Sequence, residues 1–198
     1  MTETGLEVKL NGACSSVINN HCLADLHFKA MEELGPIAFS ADELEFARAV
    51  NAQFPPEAIR PFEGLRIPPG MRERVAAAER QPLVAENFPA WDEDHVATGS
   101  TDVGDVSWIA PLSMLSTACF PTGAPGHSWA ETAAAGTSIG HKGMLHAARI
   151  MALAGIDLYS DPAHLERARR EFEQRTAGKP YRSPLPDDLV APRYPEQS

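Results

Sequence analysis

Gly-Ser-Thr-Asp-Val-Gly-Asp-Val-Ser-Trp (Gly99 to Trp108), Pro-Gly-His-Ser-Trp (Pro125 to Trp129) and Thr-Ser-Ile-Gly-His-Lys-Gly-Met (Thr137 to Met144) surround an uncharged run, Leu112 to Phe120. In order they read as a loop dense in small and acidic residues, a strand-like run, a histidine on a Gly/Pro loop, and a capped helix. The run is bounded by Pro111 and Pro121, which is the pattern of a buried strand. Loops at strand ends are where α/β proteins hold reactive groups, because the scaffold is rigid and the loop is open. Carboxylates, an imidazole and a helix N-terminus in this order supply the parts for one wall of a metal site.

The flanking sequence extends the same layout. Leu6 to Leu10 alternates apolar and charged residues, as a half-buried strand does. Asn19 or Asn20 can cap a helix running to Leu34, with Leu23, Leu26, Ala30 and Leu34 on one face and Gly35 beyond its end. Ser40 with Glu43 makes a capping box for a helix over Ala41 to Phe54, stopped by Pro55 and Pro56. Pro55 to Pro69 reads as irregular, Gly70 to Arg80 as a short amphipathic helix, and Leu83 to Ala90 as ambiguous. Ser138 is the expected cap of a helix to Ala154, with Gly155 as its stop. Asp161 and Pro162 open a last helix that ends before Gly178. The tail from Lys179 holds five prolines and reads as extended or disordered. The expected fold is α/β, a mixed sheet flanked by helices.

Composition narrows the function. The chain has 198 residues, 43% of them hydrophobic, enough to fill a core. A formal net charge of −10 argues against nucleic acid or an anionic membrane as the main partner. Three cysteines (Cys14, Cys22, Cys119) without metal-finger spacing suit a reducing compartment. The opening Met-Thr-Glu-Thr-Gly has no basic and then apolar region, and no apolar stretch approaches the ~20 residues that cross a bilayer. A cytoplasmic protein is expected.

His127 follows the apolar run on its loop. There it can ligate zinc or manganese through a neutral nitrogen, or move protons near neutral pH. It can equally be a surface or capping histidine. Asp102 and Asp105 can bind a metal or a cationic group, or make the turns that Asp favours among Gly, Ser and Thr. Ser138, His141 and Lys142 lie where backbone N–H groups can receive a carboxylate or oxyanion, or Ser138 is simply a cap and the other two are solvated. His21, His27, His95, His146 and His164 show no paired ligand spacing. Arg167, Arg169 and Arg170 alternate with Glu166, Glu171 and Glu173, the pattern of a solvated helix face. A phosphate-cradling glycine loop and His-Glu-x-x-His are both missing.

Together the three quoted segments resemble the C-terminal part of the two-metal amidohydrolases of the aminoacylase and glutamate-carboxypeptidase type. The likeness covers residues 1 to 155 and includes a strand, an Asn and a helix over Glu7 to Gly35. It implies that residues 1–11 are the last strand of a lid or dimerisation domain, that 12–178 are the C-terminal half of a catalytic domain, and that 179–198 are a Pro-rich tail. It further implies two zinc or manganese ions, usually in a dimeric enzyme. There a Glu activates a bridging water that attacks the amide of a small N-acyl amino acid, p-aminobenzoyl-glutamate or dipeptide. By the same resemblance His127 matches the last metal ligand, Glu131 orients it, and Asp102, Asp105, Ser138 and His141 neighbour the substrate.

The rest of that site is not in the sequence. No His-x-Asp occurs, and no catalytic general base can be assigned. The resemblance therefore implies a fragment, begun at an internal methionine or cut from a longer gene, whose missing half is encoded upstream or supplied by a partner subunit. Alone it is expected to lack amidase activity, to bind metal weakly, and to expose apolar surface. A non-enzymatic binding or partner-stabilising module is the alternative. A third reading is an unrelated mononuclear metal protein using His127 with Asp102 or Asp105.

Overall fold

The Asn20 side chain accepts the backbone N–H of Leu23 at 3.1 Å and so starts α1, His21–Leu34. Such an acceptor satisfies one of the donors that a first helical turn leaves without a partner. Gly35, at φ 69°, ends the helix in a conformation that side chains disfavour. The structure is a computed structural model, and it describes residues 4–8, 10, 12–55, 62, 66–91 and 99–189.

α2, Ala41–Asn51, begins with the reciprocal cap expected from its sequence. The Glu43 N–H donates to Ser40 Oγ at 3.2 Å, and the Ser40 N–H donates to Glu43 Oε2 at 2.6 Å. A 3-10 turn at Pro69–Met71 leads into α3, Arg72–Glu79. Then come α4, Val103–Ser107; α5, Trp129–Ala135; α6, Ser138–Ser160; and α7, Pro162–Thr176. α6 is the spine, packing on α1, α5 and α7. Leu26 and Ala30 of α1, Ile150 and Ala154 of α6, and Ala168 of α7 are buried. On the other side of α6, Ile139 joins Ala47 and Leu83 beneath Phe39, Leu44 and Phe46.

The expected mixed sheet is corrected by this structure: no residue among those described is in a strand. Leu112 to Phe120 runs without regular structure and half-buried, because among the described residues no ladder of backbone hydrogen bonds pairs it with a second segment. Its anchors are different: Leu112 O accepts the Asn20 N–H at 2.7 Å, and Thr117 Oγ1 donates to Gly143 O at 3.0 Å. The strand expected near the start fares no better. Leu6 and Val8 are 89% and 82% exposed, so the alternation there buries nothing, and Lys9 lies outside the described residues. His95, and residues 190–198 of the tail, also lie outside them.

Helix ends moved for identifiable reasons. Thr137, not Ser138, caps α6, its hydroxyl accepting the Ile139 N–H at 3.2 Å. Gly155 does not stop α6, which continues to Ser160, where Pro162 cannot extend it and begins α7 instead. The added turn is tied to α1 by Lys29 and Asp157 at 2.7 Å. Within residues 99–108, expected as a loop, Val103–Ser107 winds into α4. α7 keeps its expected bounds, ending at Ala177 and Gly178 with left-handed φ of 51° and 66°.

Glu171 is not on a solvated face. Its carboxylate accepts the backbone N–H groups of His21 (2.8 Å) and Cys22 (2.9 Å), and Arg175 Nε donates to it at 2.7 Å. Burial alone would raise its pKa. The two backbone donors, Arg175 and the Cys22 thiol outweigh burial and hold it at about 2. Asn20, only 2% exposed, adds a second link by donating to Ala168 O at 2.8 Å. An α7 side chain therefore caps α1. Glu171→Ala is expected to lower stability by about 2 kcal/mol, since two first-turn donors and Arg175 lose their acceptor. Urea unfolding reads this directly, and a midpoint equal to the parent's would show that water replaces the cap.

Candidate functional site

The acidic segment is a clamp on the chain that enters α1. Asp105 Oδ1 accepts the Ser15 N–H at 3.1 Å, Ser107 Oγ accepts the Ile18 N–H at 2.9 Å, and Trp108 Nε1 donates to Ser16 O at 3.0 Å. The Ser15 hydroxyl first, then its backbone N–H and the Tyr181 hydroxyl, hold Asp105 below the usual carboxylate range, against a smaller effect of burial. Gly104 lies against Ser15: a Cβ there would meet Ser15 O at 1.8 Å. Asp102 is exposed at the start of α4 and makes no side-chain cap bond. The two aspartates therefore do not act as a pair: one is bound into the fold, the other faces solvent.

His127 is exposed, on the turn just before α5, with φ at 58°. Its backbone N–H donates to Glu131 Oε2 at 2.7 Å. Glu131 thus holds the His127 backbone, whereas the resemblance implied that it orients the ring. Ser128 caps α5 through the Ala130 N–H at 3.3 Å, and Trp129 stacks on Phe54 with centroids 5.6 Å apart. The sequence showed the loop but not the helix behind it.

Ser138 and Lys142 converge on Glu43. Ser138 Oγ donates to Glu43 Oε1 at 2.6 Å, and Lys142 Nζ donates to Oε2 at 2.6 Å and to Ala38 O at 2.8 Å. Glu43 is 7% exposed. The hydrogen bonds from Lys142 and Ser138 lower its pKa from 4.5 to about 2, against the opposing effect of burial and with help from the Ser40 N–H. This triad fastens α6 to α2. His141 is exposed on the first turn of α6. Gly143 lies against residues 118–119, where a Cβ would meet Cys119 Sγ at 2.5 Å and Ala118 O at 2.6 Å. The glycine in Gly-His-Lys-Gly is thus explained by close approach of two backbones.

Sequence reasoning did not assign Glu43 a role at this site. Its capping role was legible, but the partners on α6 are about a hundred residues away and no local pattern announces them.

Among the described residues, no group of three His, Cys, Asp or Glu side chains is placed to hold a metal ion. His127, Asp102 and Asp105 thus do not form a coordination shell. A groove of about 1400 Å³ lies between α1, residues 84–91 and the extended segment 113–122. Its lining includes His27, Phe28, Met31, Leu115, Trp91 and His146, and Glu131 reaches it; His127, Asp102, Asp105, Ser138 and His141 do not. His27 and His146 are both pushed by burial below the usual histidine range, and Arg149 adds to the effect at His146. No helix among the described residues is long and apolar enough to cross a membrane.

Over nearly its whole length the chain is homologous to part of a hydrolase. That relative is a p-aminobenzoyl-glutamate hydrolase subunit of Escherichia coli (strain K12), 33% identical over 193 residues, or 96% of this chain. The chain spans 40% of the relative's length. The similarity bears out the kinship carried by the segments at 99–108, 125–129 and 137–144. No protein-family model and no solved structure matches the sequence.

Proposed function

We propose that this chain is the C-terminal part of a metal-dependent amidohydrolase that releases an amino acid from a small N-acyl amino acid, p-aminobenzoyl-glutamate or a dipeptide. The observation that carries the reading is the 33% identity to a p-aminobenzoyl-glutamate hydrolase subunit over 96% of the chain. His127 suits the role of metal ligand, being an exposed imidazole on a turn fixed by Glu131. Zinc or manganese is the expected cofactor of the whole enzyme. The described residues do not form a shell for either ion, so the remaining donors have to come from another polypeptide or another part of the protein. Asp105, Ser138 and Glu43 then serve the site by holding the backbone around it.

A chimera tests this reading. The matched portion of the E. coli protein is replaced by this chain, and release of glutamate from p-aminobenzoyl-glutamate is measured with manganese or zinc. Hydrolysis by the chimera, its loss in His127→Ala, and none from the 198-residue chain alone are expected. A folded chimera inert toward every N-acyl amino acid overturns the activity. Amide cleavage by the chain alone at enzymatic rates overturns the division of the site.

A further inference from the structure

We propose that the groove between α1 and residues 113–122 is the seat of a second polypeptide element, the counterpart of the part of the E. coli hydrolase that this chain does not match. The inference rests on the reading of the chain as one portion of a larger catalytic unit. Size is the first argument. Small-molecule sites measure roughly 300–1000 Å³, and this groove, at about 1400 Å³, exceeds them. Its walls carry Phe28, Met31 and Leu115 from opposite sides, with Met114 at their edge 55% exposed. An apolar concavity of this extent is a recognition surface rather than ordinary exterior.

The second argument identifies the chemistry of the occupant. Among the described residues, three side-chain atoms are shielded from solvent and have no hydrogen-bond partner: Trp91 Nε1, Thr122 Oγ1 and His146 Nε2. All three residues line this one groove. Each such atom left unpaired costs about 1–3 kcal/mol, so native structures rarely keep them. They are already covered while the groove is empty, so an occupant pairs them only where the side chains over them shift as it seats. The indole N–H needs an acceptor, and the hydroxyl and imidazole each need a complementary group. Peptide carbonyls and N–H groups provide both kinds, and a hydrocarbon ligand provides neither.

The third argument is length. The chain spans 40% of its relative, so the greater part of that protein must pack against something. A second concavity, beside Leu26 and Met151, measures about 290 Å³ and is too small for a folded element.

Co-expression of the chain with the unmatched part of the E. coli protein, followed by co-purification and measurement of affinity, tests this. The wild-type pair is expected to form a 1:1 complex. Met114→Lys, at an exposed position that leaves the fold intact, and Phe28→Glu are expected to weaken it at least about tenfold. Ile156→Lys, on an exposed face of α6 away from the groove, should bind as the parent does. Circular dichroism identifies any variant that loses helix, and Met114→Lys then decides. Failure of the wild-type pair to co-purify, or undiminished binding by Met114→Lys, overturns the proposal. A complex that forms yet hydrolyses nothing leaves the docking intact and counts against the activity. An active chimera unaffected by both groove variants does the opposite.

Discussion

Gly104→Ala is expected to destabilise the chain by about 3 kcal/mol, the upper end for forcing one methyl into a packed interior. The added carbon would stand 1.8 Å from Ser15 O and 2.9 Å from Ser15 C. Both are backbone atoms, so no side-chain rotation relieves the clash, and residues 15–18 must move off α4. That movement breaks the bonds from Ser15 to Asp105, from Ile18 to Ser107 and from Trp108 to Ser16 together. For a domain of this length the loss corresponds to a fall in Tm of about 6–12 °C. Thermal unfolding of the variant provides the measurement, and a Tm equal to the parent's would mean that α4 is not clamped there.

Glu43→Ala is expected to have a comparable effect, about 3 kcal/mol. It leaves the Lys142 ammonium without its carboxylate, Ser138 without its acceptor and the Ser40 N–H without its reciprocal cap. Lys142 is partly exposed and recovers some hydration, which keeps the figure at the low end for a buried pair. The same group gives the chain an acid-labile joint. Its pKa is about 2 in the folded protein and near 4.5 when free of its partners. A depressed carboxyl pKa stabilises the fold fully above the unfolded value and loses that contribution as pH falls from about 4.5 toward 2. Glu171, also at about 2, adds to the same loss. In Glu43→Ala the decline in stability across that window should be shallower than in the parent; an unchanged slope would remove Glu43 from the account.

The sequence disclosed local chemistry well and long-range chemistry poorly. The caps at Asn20 and Ser40, the end at Gly35 and the start at Pro162 follow from one or two residues acting on their own turn, and they stand in the structure. The sheet failed because an uncharged run between prolines is compatible with a strand yet does not require one. Leu112 to Phe120 is extended, but its anchors are Asn20 and Gly143 rather than a neighbouring strand. Gly155 misled in the same way: glycine weakens a helix by about 1 kcal/mol, which α6 absorbs through its packing on α1 and α7. At the candidate site, the exposed His127 and Asp102 agree with a reading of open, polar loops. Asp105, Ser138 and Lys142 were legible as polar groups but not as fasteners, since their partners are far away in the chain.

The left-handed turn at His127 makes side-chain chemistry and folding separable at one position. Histidine tolerates φ near 58° better than branched residues do, and glycine and asparagine tolerate it at least as well. The backbone there is held through its own N–H by Glu131, not through the ring. The imidazole can therefore be exchanged for a small substituent without dismantling the turn that carries it. Valine or isoleucine, by contrast, would disturb both. A protein engineer thus has a spot where an exposed side chain can be rewritten while the scaffold stays as it is.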